Sequence, residues 1–219
     1  VGREGGGIKG FVHLAGDGAN QAVEVSVPEL ATTIEVQTGP DGRAEFVLEA
    51  SPELWSPDNP KLYTVKISSS QDLVSDEIGF RTVSVEGNQI LLNGSPIFLK
   101  GISLHEEAGQ GRGRAHDRAD AERLLGWAES LGVNFVRLAH YPHSEFMARV
   151  ADEKGLLVWE EIPVYWNLDF GNPSTLGRAR QQLVELIERD RNRASVILWS
   201  IGNETPSGEA RQQFMSALA

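Results

Sequence analysis

The chain contains no cysteine, which excludes disulfide bridges and thiolate metal sites and leaves both reducing and oxidising compartments open. It is also short of positive charge. Lys and Arg total 20 against 31 Asp and Glu, a formal net charge of −11, which argues against nucleic acid or an anionic membrane surface as a partner. A neutral ligand fits this balance better. No apolar run approaches the roughly 20 residues that span a bilayer, and the residues from Val1 onward lack the basic-then-apolar pattern of a signal segment. Neither observation fixes the compartment. A hydrophobic content of 40% over 219 residues is enough for one large core or two modest ones.

Helical periodicity is missing from the first 85 residues. Instead there are short alternating segments, Ile34-Glu35-Val36, Ala44-Glu45-Phe46-Val47-Leu48 and Leu62-Tyr63-Thr64-Val65-Lys66-Ile67, separated by Gly39-Pro40-Asp41-Gly42 and Ser56-Pro57-Asp58-Asn59-Pro60. Period-two alternation punctuated by Gly and Pro predicts an antiparallel sandwich of immunoglobulin type over residues 1–85. A hairpin-like stretch follows, with segments 82–85 and 89–92 and an Asn93-Gly94 turn, so the domain boundary is expected near residues 83–95.

From residue 86 to 219 the period changes. Strands are expected at 97–102, 133–139, 156–161 and 196–201. Helices are expected at 117–131, 144–154, 175–190 and from about 207 to the end, with Asp117 as an N-cap and Gly132 and Gly155 as stops. Alternating βα units mean a parallel sheet with right-handed crossovers. Four such units are half of a TIM (β/α)8 barrel, so the predicted fold is an immunoglobulin-like β-sandwich followed by the first four βα units of that barrel.

Every predicted barrel strand runs into chemistry-bearing side chains. The first leads to His105-Glu106-Glu107, the second carries Arg137 and leads to His140-Tyr141-Pro142-His143, the third ends at Glu160-Glu161 ahead of Tyr165 and Trp166, and the fourth meets Asn203-Glu204. One polar loop residue is ordinarily a solvated or paired group. Four at one edge of a parallel sheet are what α/β enzymes use.

Glycoside hydrolysis explains these residue types. A retaining mechanism takes one carboxylic acid to protonate the leaving oxygen and a carboxylate nucleophile about 5 Å away. Glu204 suits the acid, with burial or neighbouring negative charge as the means of keeping it protonated near neutral pH. Asn203 suits a sugar hydroxyl. Trp166 and Tyr165 suit a stacking surface, or equally the packing of their own loop.

The chain resembles glycoside hydrolase family 2, the family of β-galactosidases, β-glucuronidases and β-mannosidases, over nearly all its length. In the first half the likeness rests on Leu54-Trp55-Ser56-Pro57-Asp58-Asn59-Pro60-Lys61-Leu62-Tyr63 and Gly79-Phe80-Arg81-Thr82-Val83. At the barrel entry it rests on the stretch from Leu92 to Gly101. The most specific stretches are Arg137-Leu138-Ala139-His140-Tyr141-Pro142 and the run from Arg189 to Glu204. The resemblance implies Glu204 as general acid/base, Asn203 as the 2-hydroxyl contact, His105, Arg137 and His140 shaping the sugar pocket, and Glu161 supporting them. Arg137 is expected to orient a carboxylate rather than touch sugar.

Two departures qualify the likeness. Magnesium-dependent β-galactosidases of the family carry a Glu and a His shortly after the third strand, where this chain has Tyr165, Trp166 and Asn167; no metal or other cofactor is expected. The family's nucleophile is a glutamate on a later barrel strand, beyond these residues, and the usual N-terminal sugar-binding domain is not among them. The expectation is therefore a central portion of a longer β-glycosidase, with β-galactoside favoured over β-glucuronide, and inactive by itself. Two rivals are a metal-dependent hydrolase using His105, Glu106, His140, His143 and Glu161, for which a His-x-x-His pair is weak support, and a non-catalytic assembly module. Two unpaired barrel edges would favour self-association.

Overall fold

The computed structural model describes residues 2–4, 7–109 and 111–219, with backbone only for 2–4. They divide into two compact units, Val1–Ile97 and Phe98–Ala219.

The first unit is built from β1 (Gly2–Glu4), β2 (Gly7–His13), β3 (Ala22–Val27), β4 (Thr32–Gln37), β5 (Arg43–Leu48), β6 (Tyr63–Ser68) and β7 (Leu73–Ile78). These strands form two antiparallel sheets, ordered β1-β2-β5 and β4-β3-β6-β7. Alternation sets the inner faces: Ala44, Phe46 and Leu48 of β5 are buried while Arg43, Glu45 and Val47 face outward. Against them pack Ile8 and Val12 from β2, Val23, Val25 and Val27 from β3, and Tyr63 and Val65 from β6. This is the sandwich expected from the period-two pattern.

Strands β2, β3 and β7 were not among the alternating segments singled out in the sequence. β2 is interrupted by Gly10, where an added Cβ would lie 2.5 Å from the Phe46 ring. β7 is largely exposed, as befits an edge strand. The unit ends in a small antiparallel sheet of β8 (Val83–Glu86), β9 (Gln89–Leu92) and β10 (Ser95–Pro96). The β9-β10 turn has φ of 54° at Asn93 and 79° at Gly94, the left-handed pair that makes Asn-Gly a hairpin signal.

The second unit alternates β11 (Gly101–Leu104), α1 (Arg118–Ser130), β12 (Phe135–Leu138), α2 (Glu145–Lys154), β13 (Leu157–Glu161), α3 (Pro173–Asp190), β14 (Val196–Ser200) and α4 (Glu209–Leu218). The strands form one parallel sheet in the order β11-β12-β13-β14. These are four consecutive βα units of a TIM barrel. The first strand starts later than the expected residue 97. At 98–100 the Asn134 side chain takes the place of a ladder partner: its Oδ1 accepts from the Lys100 amide at 2.8 Å and its Nδ2 donates to the Phe98 carbonyl at 3.0 Å. Helix α3 starts earlier than expected because Asn172 caps it, accepting from the Ser174 amide at 2.9 Å, and Pro173 fits the first turn. Asp117 caps α1 by accepting from Asp120 N at 2.8 Å, and Gly155, at φ 72°, ends α2.

Apolar side chains of α1 and α2, including Leu124, Leu125, Met147 and Val150, cover Val136, Leu138 and Val158 of the sheet. A second cluster joins Ile162 and Val164, after β13, to Leu183 and Leu186 of α3 and Phe214 and Met215 of α4.

Behind the sheet lies a buried charged cluster. Glu160, near the end of β13, is 2% exposed and stands with Asp190 and Arg189 at the end of α3; Arg189 binds Asp190 through Nε at 2.7 Å and approaches Glu160 Oε1 at 3.8 Å. Burial first, then the Asp190 charge, pushes the Glu160 carboxyl well above the ordinary carboxylate range, with Arg189 opposing and Asp152 on α2 reinforcing. The folded state therefore holds this proton more tightly than the unfolded chain. The resulting stability is fully present below the ordinary glutamate range, near 4.5, and is lost as pH rises towards the folded value. Glu160→Gln, neutral at every pH, is expected to flatten this decline and to be the more stable protein at pH 9 by about 1–3 kcal/mol. Urea unfolding at pH 5, 7 and 9 checks this; parallel pH dependences for the two proteins would contradict it.

Candidate active site

The carboxyl edge of the parallel sheet brings together residues from all four strand ends. Arg137, on β12, is flanked in the sheet by Ser103 and Trp159, and its Cζ lies 4.6 Å from the Trp159 ring centre. That packing aims the guanidinium along the edge. Nε and Nη2 donate to Glu161 Oε2 at 3.1 and 2.7 Å, and Nη2 also donates to Asn203 Oδ1 at 2.8 Å. Glu161 is 1% exposed, and its Oε1 pairs with His140 Nδ1. A carboxylate only accepts, so His140 carries a proton on Nδ1 and presents Nε2 away from Glu161. Arg137 is thus the hub that fixes Glu161, and through it His140, while holding Asn203 by its amide oxygen.

His105 stands edge-on to His140, ring centres 5.3 Å apart, and its Nδ1 lies 3.5 Å from the Tyr141 hydroxyl. Tyr165 lies 6.2 Å from the His140 ring and 5.4 Å from Trp166. Beyond the ends of β13 and β14 the two chains stay in register: Asn203 N donates to Val164 O at 2.8 Å, Trp166 N donates to Asn203 O at 3.2 Å, and Tyr165 pairs with Asn203. The next residue on each side, Trp166 and Glu204, has φ of 55° and 49° respectively. Their side chains meet, the Trp166 indole N–H donating to Glu204 Oε2 at 3.0 Å. Glu204 is exposed rather than buried, so its carboxyl opens onto the edge.

The residues singled out in the sequence therefore fall into three contacts: Arg137–Glu161–His140–Asn203, His105–His140–Tyr165, and Trp166–Glu204. Two supporting side chains carry no role in the sequence reading. Tyr141 bridges His105 to the buried ring of His143, stacked at 5.2 Å. Trp159 packs against Arg137. Tyr141 sits inside the Arg137–Pro142 run and could have been found there; the Trp159 contact is a cross-strand neighbour that sequence spacing does not show.

The set suggested for a metal-dependent hydrolase does not converge. His143 is buried, its Nε2 is 2.9 Å from the Ala139 carbonyl, and desolvation depresses its pKa. Glu106 is held by Arg114 and by the Ser144 amide, and Glu161 by Arg137 and His140. No group of three or more metal-binding side chains occurs among the described residues.

The chain as a whole matches known proteins. The family model described as Glycosyl hydrolases family 2, TIM barrel domain, matches residues 83–218, more than half of the chain. The chain belongs to glycoside hydrolase family 2. A second model of that family, Glycosyl hydrolases family 2, matches residues 13–81, the sandwich. Among curated proteins, a β-galactosidase of Arthrobacter sp. (strain B7) is 35% identical over 204 residues, covering 89% of this chain and 20% of that protein. A β-glucuronidase of Streptococcus agalactiae is 33% identical over 184 residues, 72% of this chain and 29% of its own length. Among solved structures, the Bifidobacterium dentium β-glucuronidase complexed with coumarin-3-O-glucuronide superposes with a TM-score of 0.84 at 27% identity, over 94% of this chain and 36% of that one. The chain thus spans about a fifth to a third of the length of these relatives.

Proposed function

We propose that this chain contributes the acid/base half of a retaining β-glycosidase site, with Glu204 as the general acid/base and the nucleophilic carboxylate supplied from outside these 219 residues. The observation that carries the proposal is the Asn203–Glu204 pair at the end of β14. Arg137 fixes the Asn203 oxygen at 2.8 Å, which leaves the amide N–H groups to meet a sugar hydroxyl, while Glu204 opens to solvent beside them. In the first step the Glu204 proton passes to the glycosidic oxygen as the C1–O bond breaks and the nucleophile bonds to C1. In the second, Glu204 takes a proton from the water that displaces the nucleophile. Glu161 is unsuited to be that nucleophile, since both its oxygens are engaged by Arg137 and His140. His140 Nε2, His105 and the Tyr165 and Trp166 rings would bound the sugar.

A β-galactoside is the favoured substrate, with β-glucuronide next. A uronate needs a free cation. Arg137 is committed to Glu161 and Asn203, and a net charge of −11 disfavours an acidic sugar.

The test is hydrolysis of nitrophenyl β-galactoside, β-glucuronide and β-mannoside by the 219-residue chain and by a splice carrying it in place of the matching stretch of the Arthrobacter relative. The chain alone is expected to give no turnover, and the splice to be fastest on the galactoside. Turnover by the chain alone that Glu204→Gln abolishes would refute the external nucleophile. A splice fastest on the glucuronide would refute the sugar.

A further inference from the structure

We infer that Trp166 is a positioning residue for Glu204: its indole N–H holds Oε2, so that Oε1 is the oxygen that gives and takes the catalytic proton. The inference rests on the reading of Glu204 as the acid/base and adds to it a role for a side chain otherwise read as a stacking surface.

The geometry begins in the backbone. The segments after β13 and β14 remain paired through Val164, Tyr165 and Asn203, so residues 166 and 204 leave the sheet at the same level. Both then take left-handed φ, 55° at Trp166 and 49° at Glu204, a region that residues other than Gly, Asn and Asp seldom occupy. Two such residues side by side, each following a paired neighbour, turn both side chains off the sheet at one place. The indole meets the carboxyl there at 3.0 Å. It is the one hydrogen bond of the Glu204 carboxyl among the described residues.

The chemistry of an indole makes this contact suited to a group that must cycle. Nε1–H is a donor only and does not titrate. An ionised Glu204 accepts it at Oε2. A protonated Glu204 accepts it there too, provided its proton sits on Oε1. The same bond therefore serves the acid step and the base step, and selects one oxygen in both. Lysine or arginine in that place would favour the ionised form alone. Trp166 is 63% exposed, so its ring face stays open for stacking while its edge holds the carboxyl.

The experiment has two arms. In the 219-residue chain, the 15N–1H indole resonance of Trp166, assigned by its loss in Trp166→Phe, is expected to shift upfield in Glu204→Ala, while those of Trp55, Trp127, Trp159 and Trp199 stay in place. An unmoved Trp166 resonance would overturn the inference whatever Glu204 does in catalysis. In the splice with the Arthrobacter relative, Trp166→Phe keeps an aromatic face but removes the donor. It is expected to lower kcat/KM, which reports the first step, about tenfold on an alkyl β-galactoside, a fraction of the 10²–10⁴ typical of general acid–base catalysis. The kcat/KM loss on the nitrophenyl glycoside, whose leaving group needs little protonation, should be smaller. Equal kcat/KM losses on both substrates would mean a merely structural role and overturn the inference. If instead Glu204→Gln itself leaves the splice at full activity, the acid/base reading fails, while the resonance shift still reports whether the contact exists.

Discussion

Glu204→Gln in the splice is expected to lower kcat on an alkyl β-galactoside by 10²–10⁴, the usual contribution of a positioned acid–base group. Glutamine nearly preserves shape and can still accept the Trp166 N–H through its carbonyl oxygen, so the change removes the transferable proton and little else. Nitrophenolate leaves without much help from an acid, and the first step on that substrate should lose far less. The conformational stability should move by no more than about 0.5 kcal/mol, because Glu204 is an exposed residue whose loss opens no cavity. Steady-state kinetics on the two substrates, with urea unfolding as a control, checks all three statements. Because the second step also needs Glu204 and is the same for both substrates, the comparison is made on kcat/KM, which reports the first step; an equal kcat/KM loss for both leaving groups would show that Glu204 is not the proton donor.

Arg137→Met should cost about 3–5 kcal/mol, as when one partner of a buried ion pair is removed. The side chain of Glu161 is 0% exposed and that of Arg137 20%, so the pair is nearly out of water. Methionine matches the aliphatic stem but leaves the carboxylate with only His140 to face. Asn203 would lose its anchor at the same time, so activity falls with stability. Arg137→Lys should rescue little, because lysine lacks the Nε–H that gives Glu161 Oε2 its second bond at 3.1 Å and the planar fork that stacks on Trp159. Combining Arg137→Met with Glu161→Leu should recover much of the stability but none of the activity, since the apolar pair no longer orients His140 or Asn203. Urea unfolding of the three variants tests this. An Arg137→Met cost below about 1 kcal/mol would mean that the pair is screened as a surface bridge is.

The sequence by itself determined the order and kind of the elements in the barrel unit. The four βα units follow from local signals: apolar spacing at 3.6 residues in α1 and α3, the Asp117 cap, the Gly155 stop, and short apolar runs that end in polar residues. The site was legible to the same depth, because a barrel strand delivers whatever follows it to one edge, so His105, His140, Glu161, Asn203 and Glu204 had to share that edge. Tertiary structure alone decided who holds whom. Arg137 is 24 residues from Glu161 and 66 from Asn203, and Trp166 is 38 from Glu204, distances over which no local pattern carries information. Only the family resemblance picked Glu161 from the adjacent glutamates of β13; their spacing and burial pattern did not separate them. Successive strand side chains point to opposite faces. Glu161 therefore meets Arg137 at the open edge, while Glu160 is buried against Arg189 and Asp190 behind the sheet. The strand expected from residue 97 failed for a related reason: its apolar run was real, but a side chain 34 residues away, Asn134, satisfies the Lys100 amide that a ladder would have used.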